Sequence, residues 1–273
     1  MKTTTQKNKE VTPKLKVGFF GITGCAGCQL SIIFNEDEIL DILGLANIQA
    51  FPFIKEENIE DDFDLVFMEG LVADKADLEK LKIVRQHTKK LVALGACAHT
   101  GCIPAYRNFT LKEDYAHLLY AKQEDIEDLD PQPLDAHVLV DYTIPGCPPD
   151  KGEIKTFLKD MVMGKEPRVY NNPVCIECRR HNNVCLLDLG KPCLGPITQG
   201  GCNAVCINGG FECWGCRGPT KDANMQAHIN LLKQKGYTDE FIKKRMRSFV
   251  GLRHAPLDAY EKTEGAKPAM VKQ

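Results

Sequence analysis

The sequence has no long hydrophobic run, and none of its apolar stretches approaches the roughly 18 residues that a membrane-spanning helix needs. Residues 1–14 are polar and contain neither the apolar segment of a secretory signal nor a pair of adjacent arginines. Net charge is also small, because 35 Lys and Arg residues nearly balance 37 Asp and Glu residues. These absences argue against export, a membrane span, and nucleic acid or an anionic membrane as partner. We expect a cytoplasmic protein.

Cysteine, in contrast, is abundant, with thirteen in 273 residues. Eight of them fall within 42 residues in the pattern C-x2-C-x6-C-x7-C-x8-C-x3-C-x6-C-x2-C. The segment is rich in Gly and Pro and poor in apolar runs, so it cannot bury much hydrocarbon and needs another source of stability. The eight residues are Cys175, Cys178, Cys185, Cys193, Cys202, Cys206, Cys213 and Cys216.

Disulfides, zinc and iron–sulfur clusters are the three chemistries that such a segment can use. Disulfides require an oxidising compartment, and structural zinc favours four cysteines in two C-x2-C pairs. Two iron–sulfur clusters use all eight thiolates, and the small residues let backbone amides approach the sulfurs. We favour clusters. The near-mirror spacing predicts one ligand set ending at Cys193 and another beginning at Cys202, while spacing alone leaves an interleaved arrangement open.

The first 165 residues alternate between strand and helix patterns, with a Gly-rich loop, GITGCAGC, after the first strand. This alternation predicts an α/β fold with a parallel sheet. The predicted strands are 15–20, 64–68, 91–94 and 137–142, and the predicted helices are 29–43, 73–90 and 151–163.

Four further cysteines, Cys25, Cys28, Cys97 and Cys147, each follow the predicted end of a strand. The carboxyl edge of an open parallel sheet is where ligands bind, so these thiols are predicted to converge on one more cluster. A C-x2-C pair at the start of a helix also resembles a thioredoxin-type redox motif. The position shared by all four cysteines favours the cluster.

Three other residues of these loops have no assigned ligand role. Cys102 has no evident set to join and is interpreted as a packed thiol. His99 is interpreted as an ordinary loop histidine, with a hydrogen bond to a cluster sulfur as the alternative. Glu69 ends a predicted strand, where it either relays protons or caps the next turn.

Together these motifs resemble the small subunit of cytoplasmic NiFe hydrogenases, the type found in sulfhydrogenases and in the deazaflavin- and viologen-reducing enzymes of methanogens. The resemblance covers nearly all of residues 15–220 and is specific because of the order and spacing of its motifs. These motifs are CAGCQ, MEG, GACA, IPAYRN, IPGCPP, PVCIEC, PCLGPITQGGC and CWGCRGP.

The resemblance implies three 4Fe-4S clusters. The proximal cluster takes Cys25, Cys28, Cys97 and Cys147; the distal cluster takes Cys175, Cys178, Cys185 and Cys193; and the medial cluster takes Cys202, Cys206, Cys213 and Cys216. Membrane-associated members have a histidine where this chain has Cys175. Some relatives with a 3Fe-4S centre have proline where it has Cys206, so complete cysteine ligation is implied.

The fold implied by the resemblance is a flavodoxin-like domain at residues 15–165, followed by a small, loop-rich, ferredoxin-like domain with two clusters at residues 166–220. We expect C-terminal helices in residues 221–255, with Thr220 as the cap of a first helix that ends at Gly236 and a second helix from Asp239 to Phe249. Flexible tails are expected at 1–14 and 256–273.

The function implied is electron transfer. Dihydrogen would be cleaved at a nickel–iron site in a separate large subunit, and electrons would pass through the three clusters to a flavin- or iron–sulfur-containing acceptor linked to NAD(P), deazaflavin or ferredoxin. This chain would carry no catalytic site for hydrogen. The alternatives are a related quinone-oxidoreductase or formate-linked subunit and, from another class, a zinc-stabilised interaction module.

Overall fold

The structure, a computed structural model, describes residues 14–34, 44–59, 61–111 and 128–253. Five parallel strands form one sheet in the order β2-β1-β3-β5-β7, and β4 pairs with β6 in a separate antiparallel ribbon. This order defines a flavodoxin-like α/β fold, so the predicted fold class is confirmed. The strands are β1 (Lys16–Gly21), β2 (Asn47–Ala50), β3 (Phe63–Glu69), β4 (Val72–Asp74), β5 (Thr88–Leu94), β6 (Asp128–Gln132) and β7 (Tyr142–Ile144).

Helices connect these strands and continue through the cysteine-rich part of the chain. In the described residues they are α1 (Gly27–Ile33), α2 (Lys75–Gln86), α3 (Gly95–Thr100), α4 (Lys151–Val162), α5 (Val174–Arg180), α6 (Val205–Asn208), α7 (Met225–Gln234) and α8 (Asp239–Val250). Within those residues, none of the helices is both long enough and apolar enough to cross a bilayer.

The sheet is covered by helices on both faces. On one face α1 and α4 enclose a core in which the Phe19 and Phe67 rings stack with centroids 4.9 Å apart and Phe157 packs edge-on against Phe67. On the other face α2 buries Leu81 and Val84. Burial on both faces makes the central strands almost continuously apolar, which is why the pattern predicts a parallel sheet.

The cysteine-rich part of the chain has an apolar core that its own segment does not provide alone. Helices α7 and α8 fold back over the segment between α5 and α6. The buried apolar residues of this core are Val174, Leu186, Leu187, Leu194, Ile197 and Ile207 from the cysteine-rich segment and Met225, Ile229, Leu232, Ile242 and Met246 from the two helices. Two later helices therefore supply the hydrocarbon that the cysteine-rich segment lacks.

The predicted strand at 137–142 is wrong in position. Strand β7 begins at Tyr142, which lies opposite Val92 of β5, and it ends at Ile144. The preceding residues form a surface turn in which Leu139 is 71% exposed. Apolar alternation in this stretch comes from Val138 and Val140, which pack on the sheet's second face without pairing as a strand.

Other element boundaries shift for identifiable reasons. Strand β5 starts at Thr88, three residues before the predicted start, because Lys89 and Lys90 occupy its exposed amino end and pair with Asp64 and Asp141. The predicted cap Thr220 is also wrong: Asn224 caps α7, with its side-chain oxygen accepting a 2.9 Å hydrogen bond from Ala227 N.

Several short elements carry too little pattern to be predicted, namely β2 and the β4–β6 ribbon. The helix predicted at 29–43 is α1 up to Ile33, and residues 35–43 lie outside the described residues. The predicted tails, residues 1–14 apart from Lys14 and residues 256–273, also lie outside them.

Candidate iron–sulfur sites

The first group of thiols lies at the carboxyl edge of the sheet. Cys25 and Cys28 follow β1, Cys97 follows β5 within α3, and Cys147 follows β7. The loops touch one another, because Ala96 N donates a 2.7 Å hydrogen bond to Gly146 O. Parallel strands place all of these loops at one edge, as the sequence predicts.

Gly95 is required where two of these loops meet. Its φ is +89°, a conformation that L side chains rarely adopt, and a Cβ atom there would overlap the Cys28 sulfur. The Cys28 sulfur therefore lies against the first residue of α3, two residues before Cys97. Cys25, by contrast, is exposed at the rim of the group.

Glu69, at the end of β3, is 2% exposed and caps the first turn of α1. Its two oxygens accept hydrogen bonds from Cys28 N at 3.1 Å and Gln29 N at 3.0 Å. Burial raises the pKa of Cys28 well above its ordinary value, and the Glu69 charge raises it further. A thiolate at this position therefore needs a compensating positive charge, which iron would supply.

Cys102 also belongs to this neighbourhood. It is 2% exposed, has a φ of +50°, and its thiol makes hydrogen bonds with Cys147 and Cys97. As a donor it lowers the pKa of Cys147 to about 7. The burial of Cys102 agrees with its interpretation as a packed thiol. The sequence interpretation also gave it no cysteine set to join, and this is wrong, because the residue contacts two of the edge thiols.

A second group surrounds a cavity of about 760 Å³. Cys147 of the first group lines the same cavity, and its backbone N–H donates to the Cys216 sulfur. Burial raises the pKa of Cys216 to about 12 and that of Cys213 well above its ordinary value. The four cysteines of this group are Cys202, Cys206, Cys213 and Cys216.

A third group lies beyond the second. Burial raises the pKa of Cys175 to about 11, and the charges of Cys193, Cys178 and Cys185 contribute to the increase, which places these four thiols in one neighbourhood. The second and third groups adjoin, because Cys213 N donates a 3.4 Å hydrogen bond to the Cys193 sulfur.

Backbone amides point at several of these sulfurs. Gly195 N–H donates to Cys193, Ala204 N–H to Cys202, and Gly215 N–H to Cys213. Such N–H···S hydrogen bonds to ligand sulfurs are one of the determinants of the reduction potential of a cluster. The small residues predicted to let amides approach the sulfurs do so here.

Two buried donors near the junction of the second and third groups lack a partner. Nε2 of His228, whose ring also bonds the Cys193 backbone, and Nε of Arg245 make no hydrogen bond within the described part of the chain. An acceptor such as cluster sulfide would satisfy them. Across the described ranges, no three His, Cys, Asp or Glu side chains are arranged to hold a single metal ion.

Four charged residues that the sequence pattern did not single out connect these groups. Arg217 lies inside the motif CWGCRGP, directly after Cys216, and is 1% exposed. It pairs with Glu153 at 2.7 Å, whereas Arg245 lies beside Cys213. Glu177 on α5 accepts hydrogen bonds from the loop that holds Cys202. A charged residue next to a cysteine that is predicted to be a ligand is the signal that could have revealed Arg217.

His99 lies in the last turn of α3, whereas the sequence interpretation placed it in a loop. Burial lowers its pKa to about 4, and its backbone oxygen accepts two hydrogen bonds from Arg253. The ring faces Gly218, where a Cβ atom would be 3.1 Å from Nε2.

A parallel sheet with cysteines at its carboxyl edge and a cysteine-rich extension define an iron–sulfur protein of the hydrogenase small-subunit class. The chain belongs to the family described as NADH ubiquinone oxidoreductase, 20 Kd subunit, whose model matches residues 25–161. The similar proteins described below are hydrogenase subunits or hydrogenases, as the resemblance predicts.

Sulfhydrogenase 2 subunit delta of Pyrococcus furiosus is 37% identical over 237 residues, which cover 86% of this chain and 99% of that protein. A subunit of the F420-non-reducing hydrogenase vhu of Methanocaldococcus jannaschii is 31% identical and covers 83% of this chain and 90% of its own length. Among solved structures, an NAD+-reducing [NiFe]-hydrogenase in the H2-reduced state matches with a TM-score of 0.52 and 28% identity over 57% of this chain and 94% of its own. These likenesses and the thirteen cysteines together indicate iron–sulfur clusters.

Proposed function

We propose that this chain is the electron-transfer small subunit of a multisubunit, cytoplasmic NiFe hydrogenase. It would hold three 4Fe-4S clusters and connect the nickel–iron site of a large subunit to a flavin- or iron–sulfur-containing acceptor. The chain itself would carry no site for hydrogen. Hydrogenase relatives that match most of the chain support this assignment.

Three ligand sets follow from the groups of thiols. Residues 15–165 would hold the proximal cluster and residues 166–220 the other two. The ligands are Cys25, Cys28, Cys97 and Cys147 for the proximal cluster, Cys202, Cys206, Cys213 and Cys216 for the medial cluster, and Cys175, Cys178, Cys185 and Cys193 for the distal cluster.

One observation carries the proposal: the three groups of thiols adjoin in a row. Cys147 of the first group donates its backbone N–H to Cys216 of the second, and Cys213 of the second donates its backbone N–H to Cys193 of the third. Iron–sulfur clusters bound to such groups accept and release single electrons. A continuous row of groups is what electron transfer through a protein requires.

The chain's own contribution is to hold thiolates in place, exclude water and direct amides at sulfur. Loops after β1, β5 and β7 fix the first group on a rigid sheet, and α7 and α8 cover the other two. Exposed Cys25 and Cys147 are where the large subunit would dock, through an interface that we expect to be large and apolar.

The related quinone-oxidoreductase or formate-linked subunit remains the second candidate, and the matched family model favours it over residues 25–161. The cysteine-rich segment lies beyond that match. The likeness to sulfhydrogenase 2 subunit delta spans 86% of the chain and so includes this segment, which supports the hydrogenase assignment.

Anaerobic analysis of iron and acid-labile sulfide, with electron paramagnetic resonance (EPR) after dithionite reduction, tests the proposal. We expect about twelve iron and twelve sulfide per chain, the content of three cubane clusters. Cys28→Ser, Cys193→Ser and Cys213→Ser should each reduce the iron by about a third, whereas the matched control Cys102→Ser should keep it all. Zinc without sulfide would favour the interaction module and reject electron transfer.

Co-purification separates the two remaining candidates. A tagged chain expressed in its own cells should bring down a large subunit that contains nickel. A complex with full iron and no nickel would instead support the quinone-oxidoreductase or formate-linked subunit.

A further inference from the structure

Arg217 joins the loops of two thiol groups. Its Nη1 donates to Pro145 O at 2.7 Å, two residues before Cys147, and its Nε donates to Gly200 O at 2.8 Å, two residues before Cys202. Its own position directly follows Cys216. One buried guanidinium therefore links the first group to the second.

A carboxylate fixes the orientation of this guanidinium. The two oxygens of Glu153, on α4, accept from Nη1 at 2.7 Å and Nη2 at 2.9 Å. The Glu153 side chain is 11% exposed and the Arg217 side chain 1% exposed. Lysine has a single ammonium group, so it cannot reproduce this pairing of a planar guanidinium with both oxygens of a carboxylate.

Arg245, on α8, occupies the corresponding place between the second and third groups. Its Nη2 donates to Cys213 O at 3.2 Å, and its guanidinium lies 3.4 Å from the centre of the Trp214 ring. Glu212, whose side chain is 21% exposed, lies 3.3 Å from Nη1. The medial group thus has a buried cation on each side.

The charge beside the first group has the opposite sign. Glu69 is 2% exposed and accepts hydrogen bonds from Cys28 N and Gln29 N. Buried charges are screened much less by salt and water than exposed ones. A cluster gains one negative charge when it accepts an electron, so a nearby cation favours the reduced form and a nearby carboxylate favours the oxidised form.

We propose that Arg217 and Arg245 are positioning residues that raise the reduction potential of the medial cluster, whereas Glu69 lowers that of the proximal cluster. The proposal rests on the proposed function, because it requires clusters on both groups. Each of these effects favours electron flow from the sheet edge into the cysteine-rich segment, and each is opposed by the carboxylates Glu153, Glu177 and Glu212, which also lie at the medial group. All of these charges belong to this chain.

Potentiometric titration of the purified complex, followed by EPR, tests the proposal. Arg217→Gln and Arg245→Gln should each make the medial cluster at least tenfold harder to reduce, equivalent to about 59 mV for one electron, and should shift the other two clusters by less. Glu69→Gln should make a different cluster easier to reduce. Arg85→Gln, which removes a partly buried arginine at the amino edge of the sheet, is the matched control and should shift none.

Two further variants separate charge from structure. Arg217→Lys and Arg245→Lys keep the positive charge. The medial cluster of these variants should therefore keep a reduction potential close to that of the wild type, even where iron content falls. If the glutamine variants fail to hold iron, a clear fall in the medial potential of the lysine variants would still overturn the charge effect, and Glu69→Gln still reports the sign of its own effect.

Unchanged potentials in the glutamine variants with full iron content, or an equal shift of all three clusters, would overturn the inference. Wild-type complex without sulfide or EPR signals would overturn the proposed function instead. The two failures are therefore distinguishable.

Discussion

The two regions of this molecule, residues 14–164 and residues 165–253, hold their cysteines by different means. In the first region a five-stranded sheet with two apolar faces carries the thiols at its carboxyl edge. In the second, eight described residues between Asn182 and Gly218 have positive φ, and three of them are not glycine. A chain that turns so often within so few residues has few of the repetitive hydrogen bonds that stabilise a sheet.

Charge differs as well. Residues 165–253 contain 14 Lys and Arg against 7 Asp and Glu, whereas residues 1–164 contain 18 against 27. The eight proposed ligand thiolates would add negative charge to the second region, and its basic excess would offset that charge. The comparison teaches that a rigid sheet edge can present thiols by itself, while we expect a segment without such an edge to depend on the proposed clusters and on counter-charges as well as on its apolar core.

Removing iron should produce the largest difference in stability between the two regions. After anaerobic chelation we expect the amides of α5 and of residues 195–218 to exchange hydrogen rapidly, because the thiolates lose the ions that hold them together. The amides of β1, β3 and β5 should stay protected. Hydrogen exchange measured by mass spectrometry checks this. Equal protection of both regions after complete loss of iron would show that α7 and α8 alone stabilise the second.

Phe67→Ala should have the next largest effect on stability, and this effect should be on the sheet of the first region. Its ring is fully buried between Phe19 and Phe157, so its loss should cost about 3–5 kcal/mol of unfolding free energy. Thermal unfolding followed by circular dichroism measures the change. The control Ile83→Ala, at a position that is 53% exposed, should stay within about 0.5 kcal/mol of the parent. A large effect at Ile83 would mean that surface on α2 is covered by a partner.

Gly95→Ala should affect the first thiol group and spare the other two. Left-handed backbone costs an L residue about 1–2 kcal/mol, and the added Cβ would displace the Cys28 sulfur. We expect loss of about four of twelve irons, measured by iron and sulfide analysis. Gly164→Ala has a similar φ of +66° and open space around it, so it should keep all the iron. Full iron content in Gly95→Ala would show that the Cys28 loop adjusts.

Removal of a helix cap should have the smallest effect on stability, and the caps of α2 and α8 form a closely matched pair of test positions. Asp74 caps α2 by accepting from Asp77 N at 2.7 Å, and Thr238 caps α8 by accepting from Phe241 N at 3.2 Å. Replacement of either by alanine should cost about 1 kcal/mol. Only Thr238→Ala should accelerate iron release to a chelator, because α8 covers the cysteine-rich segment. Equal rates of iron release from the two variants would show that α8 does not help to hold the clusters.

Much of the sheet and its edge could be predicted because the signals are local. Buried parallel strands read as apolar runs, and the cysteines after β1, β5 and β7 mark the carboxyl edge. Strand β7 was misplaced since its three residues are defined by pairing with β5, whereas Val138 and Val140 alternate without pairing. The pattern cannot distinguish these two cases.

The charged residues around the thiols could not be predicted from spacing. Arg245 lies 29 residues after Cys216 in the sequence, on a helix that reads as an ordinary amphipathic surface, and only the return of α8 brings it to Cys213. Cys102 was likewise separated from its neighbours, because its positive φ turns the side chain back toward Cys97 and Cys147. Contacts of this kind depend on tertiary structure.

The covering of the cysteine-rich segment by α7 and α8 also has a consequence for the order of synthesis. Val250 is translated 34 residues after Cys216, and at about 5–20 residues per second that interval lasts roughly 2–7 s. During this time the sheet can already fold, while eight thiols remain without the helices that will enclose them. The proposed clusters would therefore have a brief period for insertion into an open segment before the last two helices close over it.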